Sequence, residues 1–455
     1  MANISAAARA VVNEVSAPFQ LSDNQLVKLT NSMVGEFNTG LRQAGRPVAM
    51  VPTYVTHVPH GTEAGTFITI DFIWKDVRIS EVTLDGGNKS SRRDKIFVTP
   101  KEVVVGTSAE FFDCIATFLD MFIKEFNIRL TPRTPVGLSF PFPVERMDLD
   151  KAKLVAWGKA INLQDGPGRN VQDLLQEAFD RKNINLKCGA ITNDTVAVLL
   201  SESYGHPSDN CHIAAIFGVG TNGAYVEDVV KITKLGTQAR PQMVVNTELG
   251  AFNNKDILPL TELDHSMEED SRNPGIHIFE KLVSWIFLGE LVRRILVSLG
   301  QKAPLVISEA ITVGLQHPGS FNSRLLPLID EAKTSEDVKK ILADNFSLNA
   351  VNDQETEIFR LVSQLVSGRA IKLCACAVAA LITQAGYTTS GRTDRIVVAL
   401  AGELLVFFPH FKNHLRVALK AILGESVEKR VFFLVAQDAE AIGAALGVYE
   451  MERRD

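Results

Sequence analysis

The sequence predicts an α/β fold in two large domains, and three observations carry that expectation. Short β-branched apolar runs alternate with segments of helical spacing along most of the chain. A length of 455 residues corresponds to two large domains, or to three of about 150 residues each. Hydrophobic residues make up 46% and charged residues 22%, an ordinary globular composition that excludes disorder, collagen and coiled coil.

The elements follow in order. Residues 1–20 are Ala-rich, lack the charged and apolar regions of a secretory signal, and read as an amphipathic helix. In residues 21–45, Leu26, Leu29, Met33, Val34 and Phe37 recur at helical spacing behind the Ser22-Asp23 cap signal. Residues 48–61 are punctuated by proline and irregular. Residues 65–84 read as two strands joined by a turn near Trp74 to Asp76. The basic cluster at 89–95 reads as a solvated loop. Helices are expected over 108–126, 148–160, 170–180 and 195–203, with strands over 136–142 and 188–192. A strand over 212–217 leads into Gly218-Val219-Gly220-Thr221-Asn222-Gly223 and a second strand. One long helix is expected over 274–299, and mostly helix after Pro318 as far as Ala385. The chain closes with strands at 395–401 and 431–435 and helices at 409–423 and 439–450. No repeat with a period of 20 to 50 residues is visible.

Net charge is −6, which gives no global bias toward nucleic acid or anionic membrane. Five sparse cysteines do not make a disulfide framework, so an intracellular, reducing compartment is expected, the cytoplasm first and the nucleus or mitochondrial surface next. Cys374 and Cys376 point to different helix faces, and His410 and His414 have no third ligand, so no metal site is expected. The best apolar run, residues 373–382, is too short to span a bilayer.

Gly218-x-Gly220-x-x-Gly223 matches a dinucleotide fingerprint literally, but a strand follows it where the fingerprint needs a helix. It reads as a hairpin turn, able either to cradle phosphate with backbone N–H groups or to be a turn alone. Thr192-Asn193-Asp194-Thr195 stands at a strand-to-helix junction. Asp194 there suits a general base toward a hydroxyl, while the same residue types suit a helix cap. Glu248 and Glu280 are of the type that accepts hydroxyls from a polyol.

These pieces stand in the order of one family. Pro52-Thr-Tyr-Val-Thr with Pro59-His-Gly-Thr-Glu-Ala-Gly65, Leu138-Ser-Phe-Pro-Phe-Pro143 with Trp157-Gly-Lys159, and Asn193-Asp194-Thr195 come first. Ile216 to Tyr225, Asn246-Thr-Glu248 and Asn273-Pro-Gly to Phe279-Glu280-Lys281 follow. With them the chain resembles eukaryotic hexokinases of the glucokinase type. The resemblance implies a two-domain, actin-like (ribonuclease H-like) fold with an interdomain cleft. Residues 1–64 would pack on the large domain, 65–191 would form the small domain, 192–438 the large one, and 439–455 a helix returning to the small domain. It implies Asp194 as the base on the sugar's 6-hydroxyl, and Lys159, Asn193, Asn222, Glu248 and Glu280 as hexose contacts, with Mg-ATP the phosphoryl donor in an active relative.

Departures from the family pattern shift the expectation. Where the family has Asp-Leu-Gly-Gly-Thr-Asn-x-Arg in its first phosphate loop, this chain has Asp71-Phe-Ile-Trp-Lys75-Asp-Val-Arg78. Ile73 and Trp74 add bulk, Asp76 adds repulsive charge, and Lys75 compensates only as a point charge. The second loop keeps Gly218 and Gly220, but Val219 replaces a Thr. Ala401-Gly402-Glu403 stands for Asp-Gly-Ser, and Asp438 to Gly443 stands for Asp-Gly-Ser-Gly-x-Gly with Glu440 introduced. On the sugar side Pro141 replaces a Ser and Gly158 a Thr. Two lost neutral bonds of about 0.5–1.5 kcal/mol each weaken binding roughly ten- to a hundred-fold. The pattern is similar to the degenerate hexokinase-like proteins of filamentous fungi. A non-catalytic regulator or sugar sensor is therefore expected, with glucose or fructose as ligand and a regulatory protein as partner. The alternatives are an active hexose 6-phosphotransferase and a scaffold with a vestigial cleft.

Overall fold

The computed structural model describes residues 6–158, 161–236, 240–304, 306–348, 350–408 and 410–454. Thirteen strands among the described residues form two sheets and a small hairpin. The first sheet contains β2 (Ala64–Ile73), β3 (Asp76–Asp85), β4 (Ser90–Phe97), β5 (Thr134–Ser139) and β8 (Leu186–Thr192), in the order β4-β3-β2-β5-β8. The second contains β1 (Val51–Pro52), β9 (Ile213–Phe217), β10 (Thr221–Asp228), β11 (Gln242–Asn246), β12 (Ile396–Ala401) and β13 (Val431–Val435), in the order β1-β11-β10-β9-β12-β13. β6 (Val144–Arg146) pairs with β7 (Ala152–Leu154). Leaving β1 aside, each sheet is an antiparallel three-strand meander followed by two parallel strands, so one topology occurs twice.

Helices fill the layers around the sheets. Ser108–Glu125 and Val171–Arg181 cover the outer face of the first sheet, and Ala439–Glu452 covers its inner face. Asp194–Gly205 lies on the second sheet and packs directly against Ala439–Glu452, so these two helices form the layer between the sheets. Asp353–Gln384 backs the second sheet and packs against Asp23–Arg42 and Phe411–Leu423. It is the one helix among the described residues long and apolar enough to cross a membrane, beyond the short run read from the sequence. Its most apolar window is 83% buried, which is how a central core helix reads.

Four local expectations are corrected. Residues 89–95 form most of β4 rather than a loop. Its charges sit on a sheet edge, where charge blocks edge-to-edge association, and Arg93 and Lys95 pair with Glu81 and Glu125 at 2.5 Å. Residues 148–160 contain β7 rather than a helix. Trp157 leaves it to pack on Phe111, Phe112, Phe140 and Phe142, with its Nε1–H donating to the Asp165 carbonyl (2.7 Å). The helix expected over 274–299 is two helices, Ile278–Val283 and Trp285–Lys302, broken at Ser284 in extended conformation. The 409–423 helix begins at Phe411, and Pro409 lies outside the described residues.

The five cysteines are free; four are buried and Cys114 is half-buried. Burial pushes the thiols of Cys188, Cys211 and Cys376 up to about 12, and that of Cys374 well above its ordinary value. A thiolate-selective reagent at pH 8 is expected to modify Cys114 slowly in the native protein and all five cysteines in denaturant. Release of more than one thiol equivalent from native protein would contradict this packing.

Candidate functional site

The site forms where β8 ends against the ends of β10 and β11. β8 delivers Asn193 and Asp194 to the start of the helix Asp194–Gly205. Asn193 Oδ1 accepts the Thr195 N–H (2.9 Å) and Asp194 Oδ1 accepts it too (2.8 Å). The capping role and the placement of a carboxylate at a strand end therefore coexist. Opposite, Asn222 on β10 donates through Nδ2 to Asn246 Oδ1 (2.7 Å), and Asn246 Nδ2 donates to Glu248 Oε1 (2.7 Å). Glu248 has a left-handed φ of 56°. Thr247 holds that turn by donating both its N–H (2.9 Å) and its hydroxyl (2.8 Å) to the Gly223 carbonyl. Left-handed backbone at a glutamate persists where the surrounding structure over-determines it.

Glu280, on the helix Ile278–Val283, completes the group. Its Oε2 accepts the Thr221 N–H (2.8 Å), and its Oε1 lies 3.5 Å from His277 Nδ1. Burial raises the Glu248 carboxyl, with Asp194 and Glu280 adding to the effect against the Asn246 bond and the charge of His277. The Glu280 bond raises His277 against its own burial. A small cavity beside Asn193 and Asn246 is walled by Phe140, Phe142, Thr53 and Arg146. The amides of Asn193 and Asn246 line that cavity, and with the carboxylates of Asp194, Glu248 and Glu280 nearby they suit a neutral ligand rich in hydroxyl groups.

The glycine turn after β9 is held by the protein's own groups. Glu403 begins the helix Glu403–Phe407, and its Oε2 accepts the Val219 N–H of the glycine turn (3.0 Å). A side chain at Gly218 would overlap that same carboxylate oxygen. The turn's carbonyls are taken as well. The Trp285 N–H donates to Gly218 O (2.8 Å) and the Ser284 hydroxyl to Val219 O (2.6 Å), which is the use of the helix break at Ser284. Gly402, at φ 107°, lets the β12 turn approach the Phe217 carbonyl so closely that no Cβ would fit, and this approach delivers Glu403.

The β2–β3 hairpin turns in two residues, Trp74 and Lys75. Trp74 takes a left-handed φ of 61° and is 41% exposed. Phe72 anchors the hairpin against Phe111, Phe140 and Phe142. Lys75 faces Asp76 Oδ1 (2.9 Å) and the Thr99 carbonyl (3.2 Å). Asp71 and Arg78 form a buried ion pair (2.9 Å), and Arg78 also reaches Asp438 (2.6 Å) and Glu440 (3.4 Å). Burial raises the Asp71 carboxyl, partly offset by Arg78. A polyphosphate needs free N–H donors and uncommitted cations. Here Glu403 already holds the Val219 donor and Lys75 is committed to Asp76 and the Thr99 carbonyl, so these residues fit such a group poorly.

The structure brings together Asn193, Asp194, Asn222, Glu248 and Glu280, while Lys159 lies outside the described residues. Gly218, Gly220 and Gly402 shape the turn. Gly443 packs closely on the helix Asp194–Gly205, where a Cβ would collide with Ala197. Lys75 pairs with Asp76 beside the hairpin turn. Three residues were missed. His277 had a signal, standing three positions before Glu280 on one helical face. Asn246 and Glu403 had only their places inside motifs.

Residues 11–204 and 212–449 match two family profiles, each described as hexokinase. The chain is 31% identical to the glucokinase of Aspergillus niger, over 91% of each chain. It is 28% identical to hexokinase-1 of Schizosaccharomyces pombe, over 96% of this chain and 89% of that one. The crystal structure of the Schistosoma mansoni hexokinase complexed with glucose superposes with a TM-score of 0.86 at 30% identity, covering 97% of this chain and 99% of that one. A second hexokinase crystal structure gives 0.83 at 25%, covering 98% and 99%. Fold and site together define a two-domain sugar kinase architecture of the actin-like class. The chain belongs to the hexokinase family.

Proposed function

We propose that this protein binds a hexose between its two sheets and works as a hexose-responsive regulator rather than as a phosphotransferase. The observation that carries the reading is the Glu403 carboxylate on the Val219 N–H, which puts an internal anion on the turn that would receive phosphate. Trp74 at the hairpin tip and Lys75, committed to Asp76 and the Thr99 carbonyl, support it on the facing side. The assembled group of Asn222, Asn246, Glu248 and Glu280 supports the hexose half, as does the glucose complex of the similar Schistosoma mansoni hexokinase. Glucose is the first candidate ligand and fructose the second. Closure of the cleft on the sugar would present a changed surface to a regulatory protein partner in the cytoplasm.

Asp194, kept at the start of its helix, favours the second reading, an active ATP-dependent hexokinase. The two readings separate in one experiment. Glucose and fructose phosphorylation is followed at high protein concentration with excess Mg-ATP, for the native protein, Asp194→Asn and Glu403→Ser. The native protein is expected to match Asp194→Asn in rate. Glu403→Ser is expected to bind Mg-ATP about tenfold or more tightly than the native protein, because one charge-assisted donor is released and one repelling charge removed. Turnover by the native protein that Asp194→Asn abolishes would replace the regulator reading by the kinase reading.

A further inference from the structure

His277 is a titratable group that the family resemblance did not assign, and it stands inside the carboxylate group. Its Nδ1 lies 3.5 Å from Glu280 Oε1, and the two side chains are 27% and 25% exposed. Its backbone is left-handed, with φ 55°, at the cap position of the helix Ile278–Val283. Two non-glycine residues of this site, Glu248 and His277, thus hold left-handed backbones. Such positions concentrate where geometry is imposed for a function.

Glu280 Oε2 is held by the Thr221 N–H, and its Oε1 lies within ion-pair reach of the imidazole once His277 is protonated. The charged groups around His277 come from three places. Glu280 and Lys281 are on its own helix, Glu248 is on the turn after β11, and Asp194, at the start of the opposite helix, acts on Glu248. Lys281 is already committed, with Nζ on Glu268 Oε1 (3.1 Å) and the Asn273 carbonyl (2.7 Å), and it is 3% exposed. A hexose filling the site strips water from Asp194, Glu248 and Glu280 together. Carboxylates that lose water favour a neighbouring cation. The imidazole is the group placed to become that cation.

We infer that His277 is a positioning residue of the hexose site, which fixes Glu280 for the sugar and takes up a proton as the sugar binds. The inference rests on the hexose-binding reading. The sign follows from linkage. His277 is held above its ordinary 6.5 in the free protein by Glu280, and on this inference hexose raises it further. Affinity is therefore highest below the free-state value and falls as pH rises through the window between free and bound values, by about threefold or more.

The test is calorimetry with glucose between pH 6 and 9, in buffers of differing ionisation enthalpy, on the native protein, His277→Gln and His277→Ala. The native protein is expected to take up as much as one proton per glucose, with the pH dependence just given. His277→Gln, which keeps a donor without a charge, is expected to bind with no proton uptake and a flat pH profile. His277→Ala is expected to bind more weakly than His277→Gln, because Glu280 is no longer pinned. Glucose heat with the same proton uptake in the native protein and His277→Gln overturns this inference and leaves the hexose reading standing. Absence of glucose heat from every protein at every pH overturns both.

Discussion

Combined Glu248→Ala and Glu280→Ala is expected to abolish measurable hexose binding. Each carboxylate accepts hydroxyl hydrogens, and a bond to a charged group is worth about 1.5–3 kcal/mol. Loss of both removes about 3–6 kcal/mol, which lowers affinity roughly a hundred- to ten-thousand-fold. Glu280→Gln alone keeps an acceptor for the Thr221 N–H and is expected to fall between the native protein and the double variant. Titration calorimetry reads the effect, and thermal unfolding checks that the double variant is folded. Binding within threefold of native in a folded double variant would move the sugar away from this carboxylate group and leave the cleft without an assigned ligand.

The second large effect is on stability. Arg369 and Asp264 face each other through two bonds of 2.6 and 2.7 Å, and each side chain is 1% exposed. The guanidinium also lies 4.6 Å over the Phe19 ring, and Asp264 closes the capping box of the helix Glu262–Glu269 through Thr261. One contact set thus joins the long core helix to two segments far from it in sequence. Arg369→Ala is expected to cost about 3–5 kcal/mol, because it strands a buried carboxylate. Arg369→Met with Asp264→Leu is expected to cost much less, since no charge remains to be solvated. Urea unfolding of the three proteins decides this, and equal losses would show that packing of the side-chain stems matters more than charge. Burial works to raise the Asp264 carboxyl, but Arg369 outweighs it and holds the carboxyl below its ordinary 3.8. The pair's contribution is therefore full above that unfolded-state value and lost as pH falls through the lower folded one.

Much of this molecule is written in local signals. The Ser22 capping box, the alternation across residues 65–84 and the glycine turn after β9 place helix, hairpin and turn where they occur. Asp194 and Glu248 are legible because each sits beside residues that force a cap or a tight turn. Other features depend on contacts distant in sequence. β4 carries a charged run that reads as a loop until β3 pairs with it. The break at Ser284 is unmarked by proline or glycine, and its cause is a pair of carbonyls in the 218–219 turn. The Glu403 contact spans 184 positions and depends on Gly402 closing up to β9. The twofold occurrence of one sheet topology left no repeat in the residues. Topology constrains where apolar side chains face, not which ones they are, and the two copies bury different sets.

The helix Ala439–Glu452 has a genetic consequence. It covers β2, β5 and β8 and also backs the helix that carries Asp194, with Gly443 and Gly447 in close contact on the two sides. Glu450 holds the crossing from β1 to β2 through the Thr56 N–H (2.8 Å) and hydroxyl (2.9 Å). A premature stop codon within the triplets for Ala439–Glu452 would leave all the other described strands and helices encoded. It would still uncover the inner face of one sheet and release the helix Asp194–Gly205 from behind. Truncating alleles in this stretch should therefore behave as nulls, and loss of Arg454, which donates to Glu450 Oε1 (2.6 Å) and Thr56 Oγ1 (3.3 Å), should loosen the same crossing.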